Sequence, residues 1–157
     1  MNCDCGMAAP PGANDARQSL NAAAAAIGAE IHEKYGPRIG WTHLLRILED
    51  RTCVRYPCDI VFDAAPLQAG ELAHPVAKGD HPRDGFSIYV HPLFMMEVDQ
   101  VPPLVLYQLV LVNYGEFALP DDAETFGAAA LGITKDEYYH SMCRLADELE
   151  QAASPAG

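Results

Sequence analysis

The residues best able to do chemistry stand where the chain is most apolar. In PLVLYQLVLVNYGEFA, residues 103 to 118, the hydrophilic side chains are Gln108, Asn113 and Glu116. Burying an amide without a partner costs several kcal/mol, and burying a charge costs more, so each group must be satisfied or must have a task. If the segment is one helix, Asn113 and Glu116 lie about 60° apart on adjacent turns and can reach a shared spot. Two readings follow. Neighbouring backbone or an arginine can hold these groups, which is how most buried polar groups are satisfied and is the weightier reading. Alternatively Glu116, with Asn113 beside it, marks a catalytic or ligand site, because perturbed buried carboxylates cluster at such places.

The elements that would position this helix are legible from periodicity. Leu20, Ala24, Ile27, Ile31 and Tyr35 recur at steps of three and four, predicting a helix from Asn14 that stops at Gly36 and Pro37. Trp41, Leu44, Leu45 and Leu48 form the stripe of a second, shorter helix, and the two together predict an αα-hairpin. The period then falls to two. Cys58, Ile60 and Phe62 alternate with Asp59, Val61 and Asp63, and Phe86, Ile88 and Val90 alternate with Ser87, Tyr89 and His91. A third strand is expected over Glu71 to Val76, interrupted by Pro75, and the turn-rich KGDHPRDG leads into the strongest strand. Pro102 and Pro103 open the apolar helix, expected to run to about Ala118 and to be covered on more than one side. Pro120, Asp121 and Asp122 start the next helix, Gly132 ends it, and Thr134 with Glu137 caps a last helix running to about Gln151. Its inward face is Tyr138, Met142, Leu145 and Leu149. The prediction is an α+β domain over 14–151: a three-stranded antiparallel or mixed sheet packed on a buried central helix, with the αα-hairpin before it and two helices after. Residues 1–13 and 152–157 are expected to be flexible tails.

This layout, with a strand ending GFSIYVHP followed by a helix and a short acidic loop, resembles minimal zincin-like metallopeptidase domains over roughly residues 41 to 125. Such proteins carry His-Glu-x-x-His on the corresponding helix, where two imidazoles one turn apart hold zinc and the glutamate activates water. The corresponding residues here are Val112, Asn113, Tyr114, Gly115 and Glu116. Val112 cannot ligate a metal, Asn113 cannot act as a general base, and Glu116 alone keeps ligand chemistry. The resemblance puts a third ligand at Asp122. Glu116 and Asp122, completed by a group such as His91, would be an oxygen-rich site suited to Mg²⁺, Ca²⁺ or Mn²⁺ rather than zinc. The resemblance therefore implies loss of zinc peptidase chemistry, with a divalent metal as the one cofactor to consider.

Charge and composition narrow the remaining classes. Ten Lys and Arg stand against 22 Asp and Glu, for a formal net charge of −12, which repels phosphate and anionic lipid. AETFGAAALGITKDEYYHSM resembles a bacterial helix-turn-helix, with Ala128, Gly132 and Ile133 at the turn. Its would-be recognition helix, however, opens on Lys135, Asp136 and Glu137 and ends on Asp147, Glu148 and Glu150, which opposes nucleic-acid binding. The longest apolar run, 101–112, falls short of the ~20 residues needed to cross a bilayer, so no membrane association is expected. Five cysteines preclude complete internal pairing, and the first residues lack a basic and apolar leader, so a reducing cytoplasm is expected. Cys3-x-Cys5 with Cys53-x₄-Cys58 could offer four thiolates, but Cys58 alternates with core residues and reads as a small buried hydrophobe. His74, His81 and His91 all fall in or beside the strand region. No nucleophile elbow or phosphate-binding glycine loop is present. The expected function is a non-catalytic module acting through contacts with a protein partner. The alternatives are a metal-dependent hydrolase using Glu116 and Asp122, and a helix-turn-helix regulator.

Overall fold

The computed structural model of the protein describes residues 13–153, an α+β arrangement of five helices and one three-stranded mixed sheet. The cysteines at positions 3 and 5 and most of the expected terminal tails lie outside the described residues. Helix α1 (Ala13–Tyr35) buries Ala24 and Ile31 along the expected stripe and ends at Gly36, whose φ is 93°. Helix α2 (Trp41–Glu49) turns Leu44, Ile47 and Leu48 inward, whereas Leu45, expected in its stripe, is 41% exposed. Strands β1 (Cys58–Phe62), β2 (Ala73–Ala77) and β3 (Phe86–Val90) follow. Strand β3 is central: β1 runs parallel to it and β2 antiparallel. The third strand begins two residues later than expected and keeps Pro75 because it is an edge strand, where a missing N–H breaks no ladder.

Helix α3 (Val101–Tyr114) is the covered central helix: ten of its 14 residues are buried. The sheet lies against it on one side and helices α4 (Pro120–Leu131) and α5 (Lys135–Ala153) against others. It ends four residues earlier than the sequence suggests. Gly115 adopts φ 65°, a left-handed value that favours glycine, and its N–H bonds back to the Leu111 carbonyl. A short 3₁₀ turn, 115–117, follows, so Glu116 has left the helix.

Helix α1 makes its main packing against α4. The approach is close because Gly28 has no Cβ: one built there would lie 2.7 Å from the Phe126 carbonyl oxygen and 2.8 Å from the Ala129 Cβ. The α4 to α5 corner follows the capping chemistry read from the sequence. Gly132 is left-handed at φ 69°, Ile133 N–H donates to the Ala128 carbonyl, and Thr134 and Glu137 exchange two bonds of 3.0 and 3.1 Å. Helix α5 continues to Ala153, past the expected end. Its Tyr138 is fully buried, fits over the bare Cα of Gly127, and donates a 2.6 Å bond to the Pro103 carbonyl at the start of α3.

Candidate functional site

The polar residues at the end of α3 separate into different environments. Asn113 is 4% exposed and uses both ends of its amide. Its Oδ1 accepts the Arg55 backbone N–H at 2.9 Å, and its Nδ2 donates to the Cys53 carbonyl at 2.9 Å. The Arg55 guanidinium then donates to the Asn113 carbonyl at 3.3 Å. One buried amide thus straps the loop between α2 and β1 to the central helix. Gln108 is buried as expected at 8% exposure, but Glu116 is exposed, contrary to the enclosed position read from the sequence. The physical reason is Gly115: once the helix breaks there, the spacing that would bring Asn113 and Glu116 together no longer applies.

Asp122 is buried at 2% exposure in the first turn of α4. Its Oδ2 accepts the Leu119 N–H at 2.9 Å, and its Oδ1 accepts from the Asn21 amide of α1 at 2.8 Å. Its observed bonds cap one helix and join it to another. His91 caps the 3₁₀ turn Pro92–Met96, its Nδ1 accepting the Leu93 N–H at 3.1 Å, and borders a separate cavity of about 680 Å³ with Leu67 and Leu149. His74 faces Glu71 at 3.3 Å, and His81 caps the turn at Pro82–Asp84. Among the described residues, no three or more His, Cys, Asp or Glu side chains are grouped to hold a metal ion. Burial pushes the thiols of Cys53 and Cys58 up, that of Cys58 to about 11, so both are thiols at neutral pH.

The side chains that do gather at the end of α3 are ones the sequence reading passed over. A cavity of about 740 Å³ has Tyr56, Phe86, Leu111, Val112 and Phe117 in its walls, with Arg55 and Tyr114 among its polar contributors. The rings of Tyr56 and Phe86 sit 6.2 Å apart, and the Arg55 guanidinium lies 5.4 Å over the Tyr114 ring. The Tyr114 hydroxyl is the one buried side-chain polar atom without a hydrogen-bond partner among the described residues. A buried hydroxyl left in that state costs about 1–3 kcal/mol. Burial raises its pKa, Arg55 opposes the shift, and Asp122 adds to it, so the group remains a protonated donor. Beside the cavity the chain exposes Phe117 at 79% and Leu119 at 48%, between Glu116 and Asp121. Phe117, two residues after Gly115, was the available signal, and it is a weak one.

A second polar cluster joins the end of α1 to the loop after α2. The Asp50 carboxylate accepts from Tyr35 Oη at 2.7 Å, Thr52 Oγ1 at 2.6 Å, Thr52 N–H at 3.0 Å and Lys34 Nζ at 3.3 Å. Hydrogen bonds led by that from Thr52 hold this carboxyl well below the usual carboxylate range. Burial, followed by the bond to Asp50, pushes Tyr35 to about 12. Every partner in this cluster is internal, as expected of a structural clamp. No protein-family model, curated protein or solved structure matches the chain.

Proposed function

We propose that the protein is a non-catalytic interaction module that presents the turn between α3 and α4 to a basic protein partner. The observation that carries this reading is the pairing of exposed apolar groups with acids along residues 116–121: Phe117 and Leu119 stand at 79% and 48% exposure, with Glu116 before them and Asp121 after. An exposed aromatic on a short, glycine-started turn is a suitable anchor for a partner's apolar pocket, and large exposed aromatics dominate binding energy where they occur in interfaces. The flanking carboxylates and the chain's net charge of −12 select for a basic rim around that pocket. The zincin-like layout enters this proposal only as a scaffold without its metal chemistry. Val112 is core, Asn113 is committed to the Arg55 loop, and Glu116, Asp122 and His91 occupy three different local settings.

The test is partner capture followed by reconstitution with the purified partner. Phe117→Ser is expected to weaken affinity by about tenfold or more, the scale of a central aromatic anchor. Glu116→Lys is expected to weaken it chiefly at low salt, where rim charges act. Leu45→Ser, altering an exposed leucine on α2, serves as the control and leaves affinity unchanged. A reconstituted partner indifferent to both turn variants would refute the proposal.

A further inference from the structure

The cavity at the end of α3 has the features of a ligand site rather than of a packing flaw. Its volume, about 740 Å³, falls within the range of small-molecule sites, about 300–1,000 Å³. Its walls are predominantly apolar and aromatic, with few polar contributors, the usual composition of such sites. Arg55 is the one ionisable group of permanent charge among the lining residues. Of its five guanidinium donors, one is bonded, to the Asn113 carbonyl, and no carboxylate lies within 4 Å of it among the described residues. Arg55 is itself exposed and lies 5.4 Å over the Tyr114 ring, whose hydroxyl is closed off from the cavity's accessible space. A permanent positive charge with unused donors on an apolar cavity suits an acceptor carried on an apolar body.

We propose that this cavity binds a small apolar monocarboxylate, its carboxylate received by the Arg55 guanidinium and its apolar body lying between Tyr56, Phe86 and Leu111. A guanidinium matches a carboxylate through two parallel bonds and is always charged, so it suits this acceptor better than a neutral one. The ligand carries one charge rather than several for two reasons. The protein's net charge is −12, and α3 presents its carbonyl end here, so each added negative charge meets repulsion. The inference rests on the cavity and Arg55; Phe117 belongs both to the cavity wall and to the proposed contact turn, and titration of the chain without a protein partner reads the cavity alone.

Calorimetric titration of the full chain with decanoate and with decan-1-ol tests it, because the two probes share an apolar body and differ in the carboxylate. Decanoate is expected to bind more tightly than decanol by about tenfold, which corresponds to about 1.4 kcal/mol. Arg55→Met is expected to abolish that preference while leaving decanol binding as it was. Tyr114→Phe is expected to leave decanoate binding as it was and to raise the melting temperature of the free protein, because it deletes a buried hydroxyl that has no partner. Circular-dichroism melting of each variant separates lost binding from lost fold. Equal affinity for the two probes, saturable binding of neither, or a carboxylate preference that survives Arg55→Met would each overturn the proposal.

Discussion

At the scale of single residues, the two most informative groups are amide and carboxylate, and both work on the protein itself. Asn113 closes the loop of Cys53 and Arg55 onto α3 through bonds from both ends of its side chain. Asn113→Ala leaves the Arg55 N–H and the Cys53 carbonyl without these partners, and is expected to cost about 2–3 kcal/mol in denaturant unfolding. Asp50 is the second such group. Its carboxyl is held below its ordinary pKa in the folded protein, so its stabilisation is complete above the unfolded value near about 4 and is lost as pH falls through the folded value. Asp50→Asn is therefore expected to destabilise by about 1–3 kcal/mol at neutral pH. The gap from wild type should stay flat down to about pH 5 and narrow below it, which a pH series of urea melts would measure. The need for Asn113 to have a partner was legible in the sequence, because an amide in an apolar run cannot be left bare. The identity of that partner was not, since Arg55 and Asn113 are far apart along the chain and nothing local links them.

At the scale of elements, periodicity carried the reading wherever one face is buried against one neighbour. The inward face of α5, with Tyr138, Leu145 and Leu149 at 5% exposure or less, follows its sequence stripe. So does β3, where Ile88 and Val90 are fully buried. The reading failed where a helix is apolar all round. No stripe in α3 announces its end, and the break falls on Gly115, whose left-handed conformation places Glu116 on an exposed turn. Leu45 was misplaced for a related reason: α2 is only nine residues long, and Ile47 completes its buried face instead. The seam between α1 and α4 was also hidden, because small residues leave no hydrophobic signature. Gly28 nevertheless sets it. Gly28→Ala gains about 1 kcal/mol in helix propensity, but its Cβ would meet the Phe126 carbonyl and the Ala129 Cβ, backbone and methyl groups with little room to yield. Forcing the helices apart costs about 1–3 kcal/mol, so the variant is expected to melt at a lower temperature than wild type.

At the scale of the whole molecule, the fold class, the order of helices and strands and the covered central helix were all accessible from composition and period. The candidate site was accessible only in part. The sequence directed attention to the end of α3, but it named acids, and the side chains brought together there are Arg55, Tyr56, Phe86, Tyr114 and Phe117. They come from a loop, a strand, the last residue of α3 and the 3₁₀ turn after it, and only the folded chain brings them together. Among the described residues no helix is long and apolar enough to cross a membrane. What distinguishes this account from a metal-centred one is that Glu116 and Asp122 do different work, one exposed on a turn and one capping a helix. The most direct measurement is elemental analysis of protein purified without chelator, combined with Mn²⁺ and Zn²⁺ titrations of wild type and Glu116→Gln. The account predicts substoichiometric metal, no saturable binding, and a melting temperature for Glu116→Gln close to wild type. A stoichiometric divalent ion lost in Glu116→Gln would contradict it.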